Sequence, residues 1–365
     1  MNILFAGGGT GGHLYPALAI ARAMVRRNPA VRAHFVGARR GIERDVMPGT
    51  EFPYTLVDAH PFYRSQVWKN LQTVSGGARS WLDIRRLAAS FRPRVVVATG
   101  GYASGVTLAW AAWHRVPIAQ HIGDSYPGAT ARFFARFSHE AYLGFPEAEQ
   151  FLPRGRCAYF DTGNPIDPPP DIRPAAAEAR ARWGFPPSAQ VLLVFGGSQG
   201  ARALNVATLG FIERGLPASV CVVWVTGRAH YDLYKSFDRP DVRVVPYLSP
   251  IADAYAAADL ALVRGGMMGT SELCAWGVPM IVCPLPTAAH DHQGANAAAL
   301  ERAGAAIRLP QSELSPERLT TVVGDLLADR ARLAALGRSA FARARPRAAD
   351  DIAARVLVLA THAAD

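Results

Sequence analysis

The sequence predicts an α/β protein built from two Rossmann-like, doubly wound domains. Three observations carry that expectation. Short apolar runs alternate with segments of helical periodicity almost from end to end, the rhythm of βαβ units on a parallel sheet. A proline-rich stretch near residues 161–172 interrupts the rhythm, which then restarts. Each half opens the same way, with a buried strand, a glycine-rich turn and a helix. The expected division is an N-terminal domain over 1–160, a linker over 161–172 and a C-terminal domain over 173–346. A last helix, 347–365, is expected to rejoin the first domain.

The elements follow in order. "NILFAGG", "AHFVGAR", "YTLVDA", "VVVATGG" and "VPIAQHI" read as short buried strands of the first domain. "QVLLVFGG", "VCVVWVTG", "VRVVPYL", "DLALVRGG" and "VPMIVCPLP" repeat the pattern in the second. "DIAARVLVLATHAAD" is an amphipathic helix. No apolar run approaches the ~18 residues of a spanning helix, and "MNILFAGGG" lacks the basic start of a signal peptide.

Composition sets the class of partner. Of 365 residues, 39 are Lys or Arg and 29 Asp or Glu, a formal net charge of +10. That excess suits nucleic acid, a nucleotide or an anionic membrane surface, although solubility alone accounts for it equally well. The four cysteines, 157, 221, 274 and 283, show no CxxC spacing. Cys221, Cys274 and Cys283 sit in apolar runs and are expected as buried free thiols, which fits a reducing cytoplasm.

The glycine loops narrow the chemistry. In "GGGTGGH", residues 7–13, Gly7, Gly9 and Gly12 match a dinucleotide fingerprint. The second strand, however, ends in Arg39 and Arg40 rather than in a ribose-binding acid, which leaves only an NADP-type enzyme open. A P-loop is excluded, because no Gly-Lys-Ser/Thr follows. A tight turn accounts for some of the glycines but not for His13 at the helix start. The other reading is a loop whose glycines let a substrate approach the backbone. "FGGSQGARALN" repeats the arrangement, with Ser198 and the helix N–H groups placed for phosphate oxygens. "VRGGMMGTSELCAWGVP" is expected to set Thr270, Ser271 and Glu272 in the first turn of a helix. There the Glu272 carboxylate could accept both ribose hydroxyls, or merely cap the helix. "PTAAHDHQGANA" offers Asp291, His292 and Gln293 to sugar hydroxyls; a metal site on His290 and His292 lacks a clear third ligand. The three loops together point to a nucleotide sugar at the C-terminal ends of the second sheet, facing the "GGGTGGH" loop of the first domain.

"GGGTGGHLYPALAIA", "ATGGYASG", "GNPI", "GGSQGARALN", "SELCAWGVP" and "HQGANA" occur in one order over nearly the whole chain. In that order they resemble the family 28 glycosyltransferases of bacterial cell-wall synthesis, members of the GT-B superfamily. The resemblance implies two domains facing across a cleft, the first turned to acceptor and membrane, the second holding UDP-GlcNAc. It implies inverting transfer of N-acetylglucosamine to the MurNAc 4-hydroxyl of undecaprenyl-linked lipid I, giving lipid II for peptidoglycan, cell shape and division. A GT-B transferase with another lipid or secondary-metabolite acceptor is the alternative. The implied location is peripheral, on the cytoplasmic face of the inner membrane, with no cofactor and no nucleic-acid partner.

By position, the resemblance assigns Thr10, Gly11 and Gly12 to donor diphosphate and acceptor. It assigns Ser198 to a donor contact, Leu248 to uracil, and Met267, Met268, Gly269, Thr270 and Ser271 to the donor loop. Glu272 falls at the ribose carboxylate, His292 and Gln293 at the GlcNAc hydroxyls, and His13 beside the acceptor hydroxyl. Two departures stand out. Where the family shows His-Glu-Gln-Asn this chain has His121, Ile122, Gly123 and Asp124, and Asp167 stands where Arg is common. Asp124 is the acid left on that stretch, a substrate contact and the second candidate base after His13, whose ordinary pKa of about 6.5 suits proton transfer. Backbone N–H groups can stabilise the leaving diphosphate without a metal, and no Asp-x-Asp pair sits at a strand end. Residues 60–81 interleave Phe62, Tyr63, Trp68 and Trp81 with Arg64, Lys69 and Arg79, a pattern suited to anionic headgroups. Trp110 and Trp113 are expected on the same surface.

Overall fold

The computed structural model describes residues 1–60, 70–197 and 199–362. The chain divides into two compact units, Met1–Ile166 with Pro346–Asp365, and Asp167–Arg345.

Unit 1 is built on seven strands: β1 (Asn2–Gly7), β2 (Arg32–Ala38), β3 (Tyr54–Val57), β4 (Val95–Gly100), β5 (Ile118–Ile122), β6 (Glu140–Leu143) and β7 (Ala158–Asp161). Their order is β3-β2-β1-β4-β5-β6-β7, and every pairing is parallel. Helices cover both faces of such a sheet, so its central strands read as apolar runs rather than alternating ones. One face packs Ile3, Phe5, Leu14, Ile20 and Met24 against Ile352 and Val356 of the helix Ala348–His362. The other packs Leu4, Val36, Val96 and Leu108 against Ile84.

Strands β6 and β7 add to the five anticipated. "EAYL" and "AYFD" are only four residues long and each carries an acid, so neither forms an apolar run. Glu140 is accommodated because Arg355 of the last helix donates to both its carboxylate oxygens, at 2.9 and 3.1 Å. The Tyr142 hydroxyl also donates to it, at 2.8 Å.

Unit 2 has six strands: β8 (Gln190–Phe195), β9 (Val220–Val225), β10 (Val242–Val245), β11 (Leu260–Val263), β12 (Met280–Val282) and β13 (Ala306–Arg308). They lie in the order β10-β9-β8-β11-β12-β13, again all parallel. β13, "AIR", was not anticipated: it has a single buried residue and ends in the exposed Arg308, so it forms no apolar run. Leu192, Val194, Phe211, Leu262, Leu319 and Val323 gather around the fully buried Trp224. Its ring N–H donates to Asn205 Oδ1 at 2.9 Å, and Asn205 Nδ2 donates to Thr226 O at 2.8 Å. All four cysteines are free and buried.

In both sheets the strand order reverses direction once, between β1 and β4 and between β8 and β11. Connections on either side of such a point run to opposite faces, which opens a crevice at the C-terminal strand ends. The glycine loops after β1 and β8 lie at these two points.

The helix Ala348–His362 belongs to the core of unit 1. Ile352→Ala is therefore expected to lower stability by about 2–5 kcal/mol, read from urea unfolding. A cost near zero would mean that the helix is peripheral.

Candidate functional site

Unit 1 gathers its polar residues at the ends of β1, β4 and β5. After Gly7 the chain turns through Gly8 (φ 148°) and Gly9 (φ 89°), and Thr10 becomes the N-cap of the helix Gly11–Arg27. The turn closes over a buried acid, Glu43, which is 1% exposed and accepts the Gly9 N–H. A Cβ on Gly8 would lie 1.1 Å from Glu43 Oε1, and one on Gly7 would lie 2.1 Å from Thr99 Oγ1. The expectation that these glycines serve substrate approach is thus corrected at Gly7 and Gly8, where the protein's own side chains take the space. Burial pushes the Glu43 carboxyl up from its ordinary value; its backbone hydrogen bonds oppose this.

His13 is held from three sides. Its Nδ1 lies 3.1 Å from Thr10 Oγ1, and its carbonyl accepts the Thr99 hydroxyl at 2.7 Å. Its ring lies against the turn after β4, where a Cβ on Gly100 would sit 2.8 Å from His13 Cδ2. His121, buried in β5, is pushed down to about 4, chiefly by burial. The charge of His13 adds to that, while a hydrogen bond with Asn164 and the charge of Asp124 oppose it. His13 and Asp124 therefore both act electrostatically on the His121 imidazole. Asn164 of the "GNP" stretch donates to Gly123 O at 3.1 Å and fixes this loop. Ile122 packs into the core with Leu143, Ala148 and Leu152.

In unit 2, β8 runs through Gly196–Gly197 and Gly200 into the helix Arg202–Glu213. Ser198 lies outside the described residues. β11 leads through Gly265 and the N-cap Gly266 into the helix Met267–Trp276, whose first turn holds no acid. Glu272 therefore stands in the second turn, which corrects the first-turn expectation and removes the capping alternative. The cause is that Met267 and Met268, good helix formers, start the helix directly after the glycines. Met267 is buried, while Met268, Gly269 and Ser271 are partly exposed. Thr270 is buried, and its hydroxyl is committed within the helix to Gly266 O at 2.9 Å. The partly exposed Glu272 accepts the Tyr255 hydroxyl on Oε2 at 2.6 Å. Its carboxyl is raised to about 7, mainly by desolvation and further by the charge of Asp167, against the Tyr255 hydrogen bond.

A third helix, His292–Arg302, starts at the same edge. Asp291, its N-cap, has left-handed backbone (φ 52°), as does His290 (φ 54°). Gln293 Oε1 accepts the Leu285 N–H at 3.0 Å, and Asn296 Nδ2 donates to Gly265 O at 3.0 Å, pinning the turn before Met267. Partly exposed Leu248 follows β10. Three helix N-termini thus converge on the C-terminal edge of one sheet, an arrangement that favours an anion. Among the described residues no three His, Cys, Asp or Glu side chains gather as metal ligands.

Glu43 was not singled out in the sequence, and His121 was named there only as part of the 121–124 stretch, with no role of its own. A signal existed for each: a polar Gln-His pair ending the apolar run "VPIAQHI", and an acid between the glycines of "GARRGIE" and the next helix. On the aromatic surface, Phe62, Tyr63, Arg64, Trp68 and Lys69 lie outside the described residues. Trp81 is partly buried against the core. Trp110 is only 6% exposed and stacks on His114 with centroids 4.7 Å apart, which corrects its placement on the surface. Trp113 is 78% exposed.

The chain matches the glycosyltransferase family 28 N-terminal domain over residues 3–143 and the family 28 C-terminal domain over residues 191–352. It is 37% identical to a protein of Moorella thermoacetica, over 96% of this chain and 97% of that one. It is 39% identical to a protein of Salinibacter ruber, over 98% and 97%. Both relatives are named UDP-N-acetylglucosamine–N-acetylmuramyl-(pentapeptide) pyrophosphoryl-undecaprenol N-acetylglucosamine transferase. Among solved structures, Acinetobacter baumannii MurG shares the fold with a TM-score of 0.78 at 23% identity, covering 98% of this chain and 99% of that one. The calicheamicin glycosyltransferase CalG4 does so at 0.68 and 18%, covering 100% and 99%.

Glu272 supplies a pH test. Its folded-state pKa of about 7 lies above its ordinary 4.5, so the folded chain holds this proton more tightly than the unfolded one. By linkage, that contribution to stability is fully present below the unfolded value and is lost as pH rises through about 7. Urea unfolding of wild type and Glu272→Gln across that window should show the variant gaining relative stability as pH rises. A difference that stays flat would remove the shift.

Proposed function

We infer the activity from membership: the chain belongs to glycosyltransferase family 28, and it transfers N-acetylglucosamine from UDP-N-acetylglucosamine to the undecaprenyl-linked N-acetylmuramyl-pentapeptide, lipid I. The observation that carries this is identity of 37–39% with transferases of that name across 96–98% of the chain. The direct test is incubation with labelled UDP-GlcNAc and lipid I in detergent. A labelled disaccharide lipid is expected, and transfer only to another acceptor class would overturn the assignment.

The roles of the residues form our proposal. UDP-GlcNAc binds on unit 2, its diphosphate received by the backbone N–H groups at the starts of the helices Arg202–Glu213 and Met267–Trp276. Glu272 takes the ribose, Leu248 the uracil, and Gln293 with His292 the sugar hydroxyls. The MurNAc 4-hydroxyl attacks the anomeric carbon. The new C–O bond forms as the bond to UDP breaks, with inversion. The hydroxyl proton passes to His13, and the diphosphate leaves as an anion. Asp124, acting on the same imidazole neighbour as His13, stabilises the imidazolium that forms or serves as base itself. Thr10, Gly11 and Gly12 present the loop to donor phosphate and acceptor. Neutral His121 supports the pair without adding a positive charge.

The lipid acceptor places the reaction at a membrane. Among the described residues no helix is long and apolar enough to cross one. We assign the chain to the cytoplasmic face as a peripheral protein. The net charge of +10 and the exposed Trp113 and Leu82 support this.

His13→Ala and Asp124→Ala should each lower turnover with lipid I at least about tenfold, toward the ~10² typical of lost acid–base catalysis. UDP affinity, measured by calorimetry, should stay unchanged in both. Full activity in both variants would place the base elsewhere. The protein should sediment with anionic vesicles at low salt and be released at high salt. Equal binding to neutral vesicles would remove the electrostatic component.

A further inference from the structure

Glu272 does not stand alone. Tyr255, in the helix Ala252–Ala257, is 3% exposed. Its ring stands edge-on to Phe195, the last residue of β8, at 6.0 Å between centroids, and tilted against Trp276 at 6.1 Å. Phe195 also lies against Gly269, one turn before Glu272. The aromatic group therefore spans the strand that enters the glycine loop and the helix that carries the acid. From this fixed position the phenol donates to Glu272 Oε2 at 2.6 Å. Burial and the facing carboxylate hold the phenol proton well above its ordinary pKa, so Tyr255 remains a donor.

We propose that Tyr255 is a positioning residue for nucleotide recognition: its hydroxyl anchors one oxygen of Glu272 and orients the carboxylate so that its remaining acceptor sites meet the ribose hydroxyls. The proposal rests on the reading of Glu272 as the ribose carboxylate. An unanchored glutamate side chain samples many rotamers and must be ordered when the nucleotide binds. Here the ordering is built into the free protein. The charge-assisted bond also favours the ionised acid, the form that accepts two hydroxyls.

Tyr255→Phe keeps the ring and its packing and removes one oxygen. Calorimetry with UDP and with 2′,3′-dideoxy-UDP separates positioning from general structure. UDP should bind about tenfold more weakly to Tyr255→Phe, the scale of a hydrogen bond to a charged group, whereas the dideoxy nucleotide should bind both proteins alike. With UDP-GlcNAc as substrate, KM should rise while kcat stays within about twofold. The double variant Tyr255→Phe with Glu272→Gln should bind UDP no more weakly than Glu272→Gln alone. Equal losses for both nucleotides, additive losses in the double variant, or no loss would each overturn the positioning role. If Glu272→Gln itself leaves UDP affinity unchanged, the ribose reading fails and the positioning role with it. If Glu272→Gln weakens UDP binding and Tyr255→Phe does not, only the positioning role fails.

Discussion

A parallel strand cannot return to its neighbour through a hairpin; each connection must cross a face of the sheet and re-enter from the same end. Most of what matters in this protein follows from that constraint. Every strand in both units obeys it. Helices must therefore begin after C-terminal strand ends, and their unsatisfied N–H groups accumulate along one edge of each sheet. Where strand order reverses, the loops on either side part and leave that edge open. The residues assigned to chemistry in both units stand there because no other edge offers converging donors.

The same constraint explains what could be read in advance. Strands buried on both faces are apolar throughout, so β1, β4, β8 and β11 were legible from "ILF", "VVVA", "LLVF" and "LALV". β7 and β13, at the sheet edges, and the interior β6 are short or carry acids, and tertiary partners such as Arg355 on Glu140 make them intelligible. The glycine loops and the residues on them were legible because backbone conformation demands glycine there. Their supports were not. Glu43 and Tyr255 act across sequence separations that no local spacing encodes. The register of a helix start was equally hidden: one strand ending at Val263 and a turn through Gly266 moved Glu272 into the second turn.

Both glycine turns are secured by the protein before any substrate arrives. Glu43 accepts from Gly9 in unit 1, and Asn296 donates to Gly265 in unit 2. Donors aimed at a developing anion act without reorganising only if something fixes their direction beforehand. Each unit also keeps a raised carboxyl group near its turn, Glu43 below one and Glu272 beside the other. Burial disfavours the charged form of each, while Glu43 keeps the Gly9 N–H and Glu272 the Tyr255 hydroxyl as hydrogen-bond donors.

The last helix carries a consequence for how the protein comes into being. The chain leaves unit 1 at Ile166, builds the whole of unit 2, and returns at Pro346 to pack Ile352 and Val356 into a cluster with the helix Gly11–Arg27 and β4, made hundreds of residues earlier. A ribosome releases polypeptide in order, and domains usually fold as they emerge. Here the domain begun first is completed last. While unit 2 is being translated, this apolar cluster lacks the part of its cover that Ile352, Ala353, Val356 and Ala360 supply, and a chain that stops anywhere within unit 2 never receives it.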